Sequence, residues 1–139
     1  RTLVGYSADV KHLAQRNYAL LGNAGEFLDP VFSSGVTIAL KSSSMVVPLV
    51  DQYIKGENID WMEQYEKPLR AGIQVIRAKI KEWYTGEFQN VVFSNHQENN
   101  VRSMIASLLA GYAWDHTNPI YKNAKKRLST IAEYCREDQ

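Results

Sequence analysis

The chain has 139 residues, of which 45% are apolar and 22% charged, a composition typical of one globular domain that can bury its own core. Sixteen Lys and Arg against fifteen Asp and Glu leave a formal net charge of +1, so we expect neither a nucleic acid nor a membrane as a partner. No apolar run reaches the roughly 18 residues that a membrane span requires, and the first residues lack the basic-then-apolar order of a secretion signal.

Two short apolar segments open the chain. Residues 1–6 and 17–21 are predicted strands, and the polar residues 11–16 connect them. A glycine-containing turn and an Asp-Pro corner follow the second strand. This order predicts a small amount of β structure ahead of the helical part of the chain.

From residue 34 the apolar spacing changes to the 3.6-residue period of a helix. We predict a first helix over residues 34–55, with a kink at Pro48, which lacks a backbone donor, and a left-handed glycine, Gly56, at its C-terminal end. Its apolar residues fall on one stripe, which consists of Val36, Ala39, Leu40, Val46, Val47, Val50, Tyr53 and Ile54.

A second helix is predicted from Asp60-x-x-Glu63, which has the form of a capping box, to Thr85-Gly86, with a bend at Pro68. Apolar residues recur along it at steps of three and four.

Two further helices complete the predicted architecture. Residues 94–97 have the form of a capping box for the third, and Asn118-Pro119 places a cap residue before a proline for the fourth. Residues 87–93 are too short a run to separate a strand from a turn of helix. The predicted fold class is therefore α+β and mostly helical, with two short strands and a glycine turn followed by about four helices.

The most informative stretch is residues 20–36, which read LLGNAGEFLDPVFSSGV. A helix that begins near Ser33 presents free backbone N–H groups and roughly half a positive charge, and Gly35 leaves that backbone uncovered by a side chain. Such a helix start favours a flat or anionic ligand. Taken singly, the Ser33-Ser34 pair is an ordinary helix cap and Asp29-Pro30 an ordinary turn.

This run resembles the second flavin-contacting motif of FAD-dependent monooxygenases of the p-hydroxybenzoate hydroxylase type, above all in the tryptophan-halogenase-like branch. There a Gly-Asp-Ala turn leads into Phe-x-Asp-Pro-x-Phe-Ser-Ser-Gly-Val. The family's fold opens with a Gly-x-Gly-x-x-Gly turn, which this chain lacks. The resemblance therefore implies a C-terminal part of a larger FAD-binding fold, with residues 1–32 ending the FAD-binding domain and residues 33–139 forming a helical region.

The resemblance also implies a cofactor site and an activity. Asn23 stands where the family usually has an aspartate for the ribityl chain. The full-length parent is expected to be an oxidoreductase, as a monooxygenase, a halogenase-like enzyme or a dehydrogenase, with NAD(P)H as electron donor, a small and often aromatic substrate, and a halide in the halogenase-like case. The fragment alone is expected to be inactive. The implied FAD-contacting residues are Gly22, Asn23, Asp29, Pro30, Ser33, Ser34, Gly35 and Val36.

Other reactive residue types show no pattern of a site. His12, His96 and His116 are too far apart to form a local ligand set, so no metal is predicted. The lone Cys135 cannot form an internal disulfide, which favours the cytoplasm. Two alternatives remain open on the residues alone, namely a helical interaction module without a cofactor, and a small anion site at the Ser33 helix start.

Overall fold

The computed structural model describes residues 7–94 and 98–137, and the chain divides into two compact units, Arg1–Ala71 and Gly72–Gln139. The strand predicted at residues 1–6 and most of the capping box predicted at residues 94–97 lie outside the described residues.

The first unit contains two short antiparallel strand pairs. Strand β1 (Ala8–Asp9) pairs with β4 (Glu26–Phe27), and β2 (Ala14–Gln15) pairs with β3 (Tyr18–Ala19). The strand predicted at residues 17–21 is thus shortened to β3. Its partner β2 lies in the predicted polar connection, because Leu13 beside it is buried at 1% exposure and fixes that segment to the core.

Helix α1 (Ser34–Ile54) confirms the first predicted helix to within one residue. It runs through Pro48 without interruption. Gly56 has φ +89° and its N–H donates to the Tyr53 carbonyl oxygen, so the predicted left-handed glycine after the helix is confirmed.

Most of the apolar stripe predicted on α1 is exposed, although such a stripe normally faces a protein core. Val36 and Leu40 are each 69% exposed, Val47 is 64% exposed and Ile54 is 77% exposed. Ser42, in contrast, is fully buried because its hydroxyl accepts a hydrogen bond from Gly22 N. The face of α1 that meets the rest of the unit consists of Ser34, Ile38, Ser42, Val46 and Leu49.

The cap predicted at Asp60 is formed, with one change of partner. Asp60 Oδ1 accepts hydrogen bonds from the N–H groups of Met62 and Glu63, but Asp60 N donates to Oε1 of Gln64, not to Glu63. A π-helical turn (Met62–Glu66) then precedes α2 (Lys67–Tyr84).

A buried carboxylate ties the start of the chain to the end of the π-helical turn. Glu66 is 4% exposed and accepts hydrogen bonds from Leu13 N at 2.9 Å and from Arg70 Nε at 3.0 Å. Arg70 also donates to the carbonyl oxygens of Val10 and Lys11. Burial would raise the pKa of Glu66, but these hydrogen bonds and the nearby cationic groups lower it below its ordinary value.

Glu66→Gln should therefore destabilise the protein at neutral pH, by about 1.5–3 kcal/mol for loss of a charge-assisted buried bond. Because the folded-state pKa is lowered, the stabilisation by Glu66 is present above its ordinary value of 4.5 and is lost as the pH falls through the folded value. Urea unfolding between pH 3 and 7 measures both effects, since the variant should show a shallower decline in acid. Glu63→Gln, which breaks an exposed pair with Lys67, is the matched control and should change little.

The second unit is built from the rest of α2 and three further helices. These are α3 (Glu87–Phe93), α4 (Asn99–Leu109) and α5 (Ala124–Glu137), so the ambiguous run at residues 87–93 is helical. Residues 7–94 and 98–137 thus contain five α-helices, and the mostly helical fold class is confirmed.

The fourth predicted helix begins as the sequence indicates. Asn118 Oδ1 accepts a hydrogen bond from Ile120 N, and a 3-10 turn (Pro119–Asn123) leads into α5. Four side chains of this segment at helical spacing, Ile120, Ala124, Leu128 and Cys135, are buried. Ile131 is only half-buried, and its place in the core is taken by the fully buried Ala132.

Candidate functional site

A groove lies at the N-terminal end of α1, beside the turn that follows β3. Its volume is about 530 Å³. Five of the eight residues predicted to contact a cofactor line it, since the two segments that carry them, residues 22–23 and 33–36, come together there. The lining consists of Leu21, Gly22, Asn23, Ser33, Gly35, Val36 and Ala39.

The turn that forms one wall lies very close to α1. Gly22 opens a 3-10 turn (Gly22–Ala24) with φ +51°, and a Cβ on it would lie 3.0 Å from the Cβ of Ala39. Both the positive φ and the close approach require glycine here. The turn is therefore held against the first turns of the helix.

Two buried side chains that the sequence analysis did not identify fix this turn. Ser42 Oγ accepts a hydrogen bond from Gly22 N at 3.0 Å and donates to the Ala39 carbonyl oxygen at 3.0 Å. The Tyr65 hydroxyl donates to the Leu20 carbonyl oxygen at 2.7 Å. Leu20 and Gly22 flank Leu21, so the backbone is anchored on both sides of the first groove residue.

The ionisation state of Tyr65 suits this anchoring role. Burial raises its pKa to about 12, and the neighbouring Ser42 hydroxyl only partly opposes the rise. The phenol therefore remains protonated near neutral pH and keeps its donor. No local sequence signal identifies this pair, because each residue reads as part of an ordinary helical pattern and the contacts span 20 and 45 residues.

Gly35 forms the opposite wall and is bare where the groove needs space. A Cβ at this position would meet a single neighbour, Asn23 Oδ1 at 3.3 Å. The Asn23 amide thus lies beside the start of α1, where helix N–H groups lack partners within the helix. A side-chain acceptor and backbone donors face the same space.

Asp29 and Pro30 shape the corner but do not line the groove. Asp29 Oδ1 accepts a hydrogen bond from Val31 N at 3.0 Å, and Pro30 opens a 3-10 turn (Pro30–Phe32). Ser33 N then donates to the Pro30 carbonyl oxygen at 2.8 Å. For these two predicted residues the structure shows the geometry of an Asp-Pro turn that directs the chain into α1.

Ser33 does not cap α1 in the way its residue type favours. Its backbone is left-handed, with φ +50°, and its side chain makes no capping hydrogen bond. Within the described part of the chain it is the only residue other than glycine with positive φ. The first N–H groups of α1 are thus left free to bind other acceptors. The left-handed backbone of Ser33 costs about 1–2 kcal/mol relative to a right-handed one.

Ser34, the eighth predicted residue, is placed apart from the groove lining. It is 5% exposed, and its hydroxyl makes no hydrogen bond with any described residue. Ser34 lies on the buried face of α1, where its side chain contributes to packing.

The described residues were also compared with the requirements of a metal site and of a membrane span. No group of three or more His, Cys, Asp or Glu side chains among them could hold a metal ion, and no helix among them is long and apolar enough to cross a membrane. His12 lies 3.9 Å from Glu66, and the His116 ring lies 4.3 Å from that of Tyr121. His96 lies outside the described residues.

Comparison with solved structures identifies a protein of the same fold. A flavoprotein/dehydrogenase from Cytophaga hutchinsonii superimposes with a TM-score of 0.89 and 37% sequence identity, over 96% of this chain and 33% of that one. No protein-family profile matches the chain.

Two curated proteins are similar in sequence. A 1H-pyrrole-2-carbonyl peptidyl-carrier protein chlorinase from Pseudomonas fluorescens is 31% identical over 115 residues, which are 76% of this chain and 24% of the chlorinase. A tryptophan 2-halogenase from Chondromyces crocatus is 39% identical over 57 residues, 41% of this chain and 11% of the halogenase.

These similarities confirm the resemblance carried by residues 20–36. The chain is related to a segment of the halogenase-like flavoprotein family, and its fold is that of a part of a larger flavoprotein. It spans about a third or less of the length of each of these relatives.

Proposed function

We propose that this chain supplies the ribityl and isoalloxazine side of an FAD site in a larger oxidoreductase. The observation that carries the proposal is the single groove in which Gly22, Asn23, Ser33, Gly35 and Val36 meet at the start of α1. Residues 1–32 then end the FAD-binding domain, and residues 33–139 form the helical region. The adenosine and pyrophosphate contacts come from polypeptide outside these 139 residues.

The groove fits the cofactor in three respects. Gly35 leaves a bare backbone wall against which a flat ring can lie, since a Cβ there would project toward Asn23. Asn23 offers an amide oxygen that accepts hydrogen bonds from ribityl hydroxyls. The uncapped start of α1 provides N–H donors and partial positive charge.

The same helix start tunes the redox chemistry. FAD held here would supply electron transfer between a donor such as NAD(P)H and oxygen or a substrate. The partial positive charge at the α1 N-terminus would favour the more negative, reduced form of the ring and so raise its reduction potential. Asp29 and Pro30 contribute by directing the chain into that helix, and Tyr65 and Ser42 by fixing the opposing turn.

The reaction of the full-length protein is proposed at the level its relatives support. Two of them are a chlorinase and a halogenase, and a third is called a flavoprotein/dehydrogenase. We therefore propose a flavin-dependent oxidoreductase that acts on a small, often aromatic substrate, with halide as co-substrate if it halogenates. The 139 residues alone should be inactive, because they hold one side of the cofactor.

Purification of the full-length protein tests this proposal. The expected result is a yellow protein with the absorbance bands of bound flavin, or one that acquires them on addition of FAD. A preparation that stays colourless and shows no response to added FAD would overturn the assignment and favour the helical interaction module.

Asn23→Asp should strengthen FAD binding in the full-length protein. A carboxylate accepts charge-assisted hydrogen bonds, worth about 1.5–3 kcal/mol against about 0.5–1.5 kcal/mol for a neutral acceptor. The new carboxylate would also lie near the positive end of the α1 dipole, which stabilises its charged form. Fluorescence titration with FAD should show Kd falling on the order of tenfold. Unchanged or weaker binding would show that Asn23 does not contact the ribityl chain.

A further inference from the structure

The outward face of α1 carries a line of exposed apolar side chains. Val36, Leu40, Val47, Val50 and Ile54 are 69%, 69%, 64%, 38% and 77% exposed. At about 100° per residue they fall within roughly 40° of one line along the helix, so they share a face. The position between Leu40 and Val47 on that line is occupied by Ser43, which is uncharged.

An apolar line of this length is uncommon on the solvent-exposed surface of a soluble monomeric protein. Isolated exposed apolar residues are normal, whereas contiguous exposed apolar patches mark interaction sites. Of the charged residues of the helix, Lys41 lies about 140° from Val36 around the axis and is off this line, and Asp51, at about 60°, borders it. The face therefore has the composition of an interface interior.

Both ends of the line lead into cavities. Val36 lines the groove assigned to the cofactor. Val50, near the other end, lines a second cavity of about 360 Å³ whose walls include Tyr18, Tyr53 and Trp61. The Tyr53 and Trp61 ring centroids are 6.0 Å apart, so this cavity has aromatic walls suited to an inserted apolar side chain.

Arg16 adds a charge at the edge of the second cavity. It is exposed and forms no ion pair or hydrogen bond with any residue that the structure describes. A partner surface that covers the cavity would gain by placing a carboxylate opposite this guanidinium.

We propose that this face of α1, from Val36 to Ile54, is the docking surface for the remaining part of the same polypeptide. The chlorinase and the flavoprotein/dehydrogenase are about three to four times as long as the segment each shares with this chain, so a large body is available to cover the face. On the proposed function, that body holds the other side of FAD and must approach the Val36 end of the face. Its docking surface is apolar, with one apolar or aromatic side chain in the Tyr53–Trp61 cavity and a carboxylate facing Arg16.

Cysteine accessibility in the full-length protein tests the proposal. Val47→Cys places a thiol within the face, and Ser44→Cys places one on an exposed position of the same helix off the line. Alkylation by iodoacetamide, quantified on the tryptic peptide by mass spectrometry, should be slower at Val47→Cys than at Ser44→Cys by at least on the order of tenfold. Hydroxyl-radical footprinting of Leu40 and Ile54 in the unsubstituted protein gives the same comparison without a mutation.

The outcomes separate the occupants. Protection of Val47→Cys that persists on dilution of the monomer supports docking of the same polypeptide. Protection that disappears on dilution would assign the face to a second copy and overturn the proposal. Equal labelling at the two sites would show that the face is uncovered and would also overturn it. Because flavin absorbance is read independently, a yellow protein with an open face rejects only the docking surface, and a colourless protein with a covered face rejects only the FAD assignment.

Discussion

Gly35→Val in the full-length protein should lower its affinity for FAD on the order of 100-fold while leaving its stability nearly unchanged. A side chain here projects into the groove, toward Asn23 Oδ1, and removes the bare wall against which the ring is proposed to lie. Gly35 does not have a positive φ, and apart from Asn23 Oδ1 an added Cβ would meet no side chain or distant backbone atom within 4 Å, so we expect only a small change in stability.

The matched control for this variant is Ser44→Val, which adds a β-branched residue to an exposed position of the same helix. FAD titration and thermal unfolding of both variants should give lost binding only for Gly35→Val and a similar melting temperature for both. Normal FAD content in Gly35→Val would refute the placement of the cofactor in this groove.

Gly72→Ala should destabilise the second unit by about 3 kcal/mol, the upper end of the usual cost of overpacking. A Cβ on Gly72 would lie 2.1 Å from Cε2 and 2.3 Å from Nε1 of Trp114, so the indole rests directly on the α2 backbone. The gain of about 1 kcal/mol in helix propensity from glycine to alanine cannot offset such an overlap. Chemical denaturation followed by circular dichroism measures the loss.

A double-mutant cycle with Trp114→Leu identifies the cause of that loss. Trp114→Leu alone should also destabilise, because it removes a large packed side chain. The double variant should be more stable than the sum of the two effects predicts, since the smaller side chain leaves room for the new methyl group. Simple additivity would show that Gly72 is needed for another reason.

Residues with local backbone roles were predictable from the sequence. The ends of α1, the glycine after it, the Asp60 cap and the Asn118-Pro119 start of the last helix all depend on groups within a few residues of one another. Such short-range interactions can be predicted from the residue types at neighbouring positions. The Asp29-Pro30 corner belongs to the same class.

The inward face of α1 could not be predicted in this way. Hydrophobic spacing identified a helix and selected the side rich in valine, but the side that is buried carries Ser42, whose burial depends on a hydrogen bond from Gly22, 20 residues away. The valine-rich side is exposed in this chain, and we propose that it docks against polypeptide outside it. Hydrophobic periodicity predicts that a segment is helical, but it does not predict which part of the protein packs against each face of the helix.

The candidate site was predicted as a set of residues but not as an arrangement. The motif indicated that Gly22, Asn23 and Gly35 belong together, and they do meet in one groove. Long-range contacts decided the rest. Tyr65 and Ser42 anchor the turn through bonds that span 45 and 20 residues, and the Ser33 hydroxyl leaves the helix start uncapped, against the usual preference of serine.

A crystal structure of the full-length protein with FAD would show whether the flavin lies at the start of α1. We expect the isoalloxazine ring against Gly35 and the first N–H groups of α1, with the ribityl chain beside Asn23. A flavin bound elsewhere, or a helix start that faces solvent or is closed by the protein's own side chains, would contradict it.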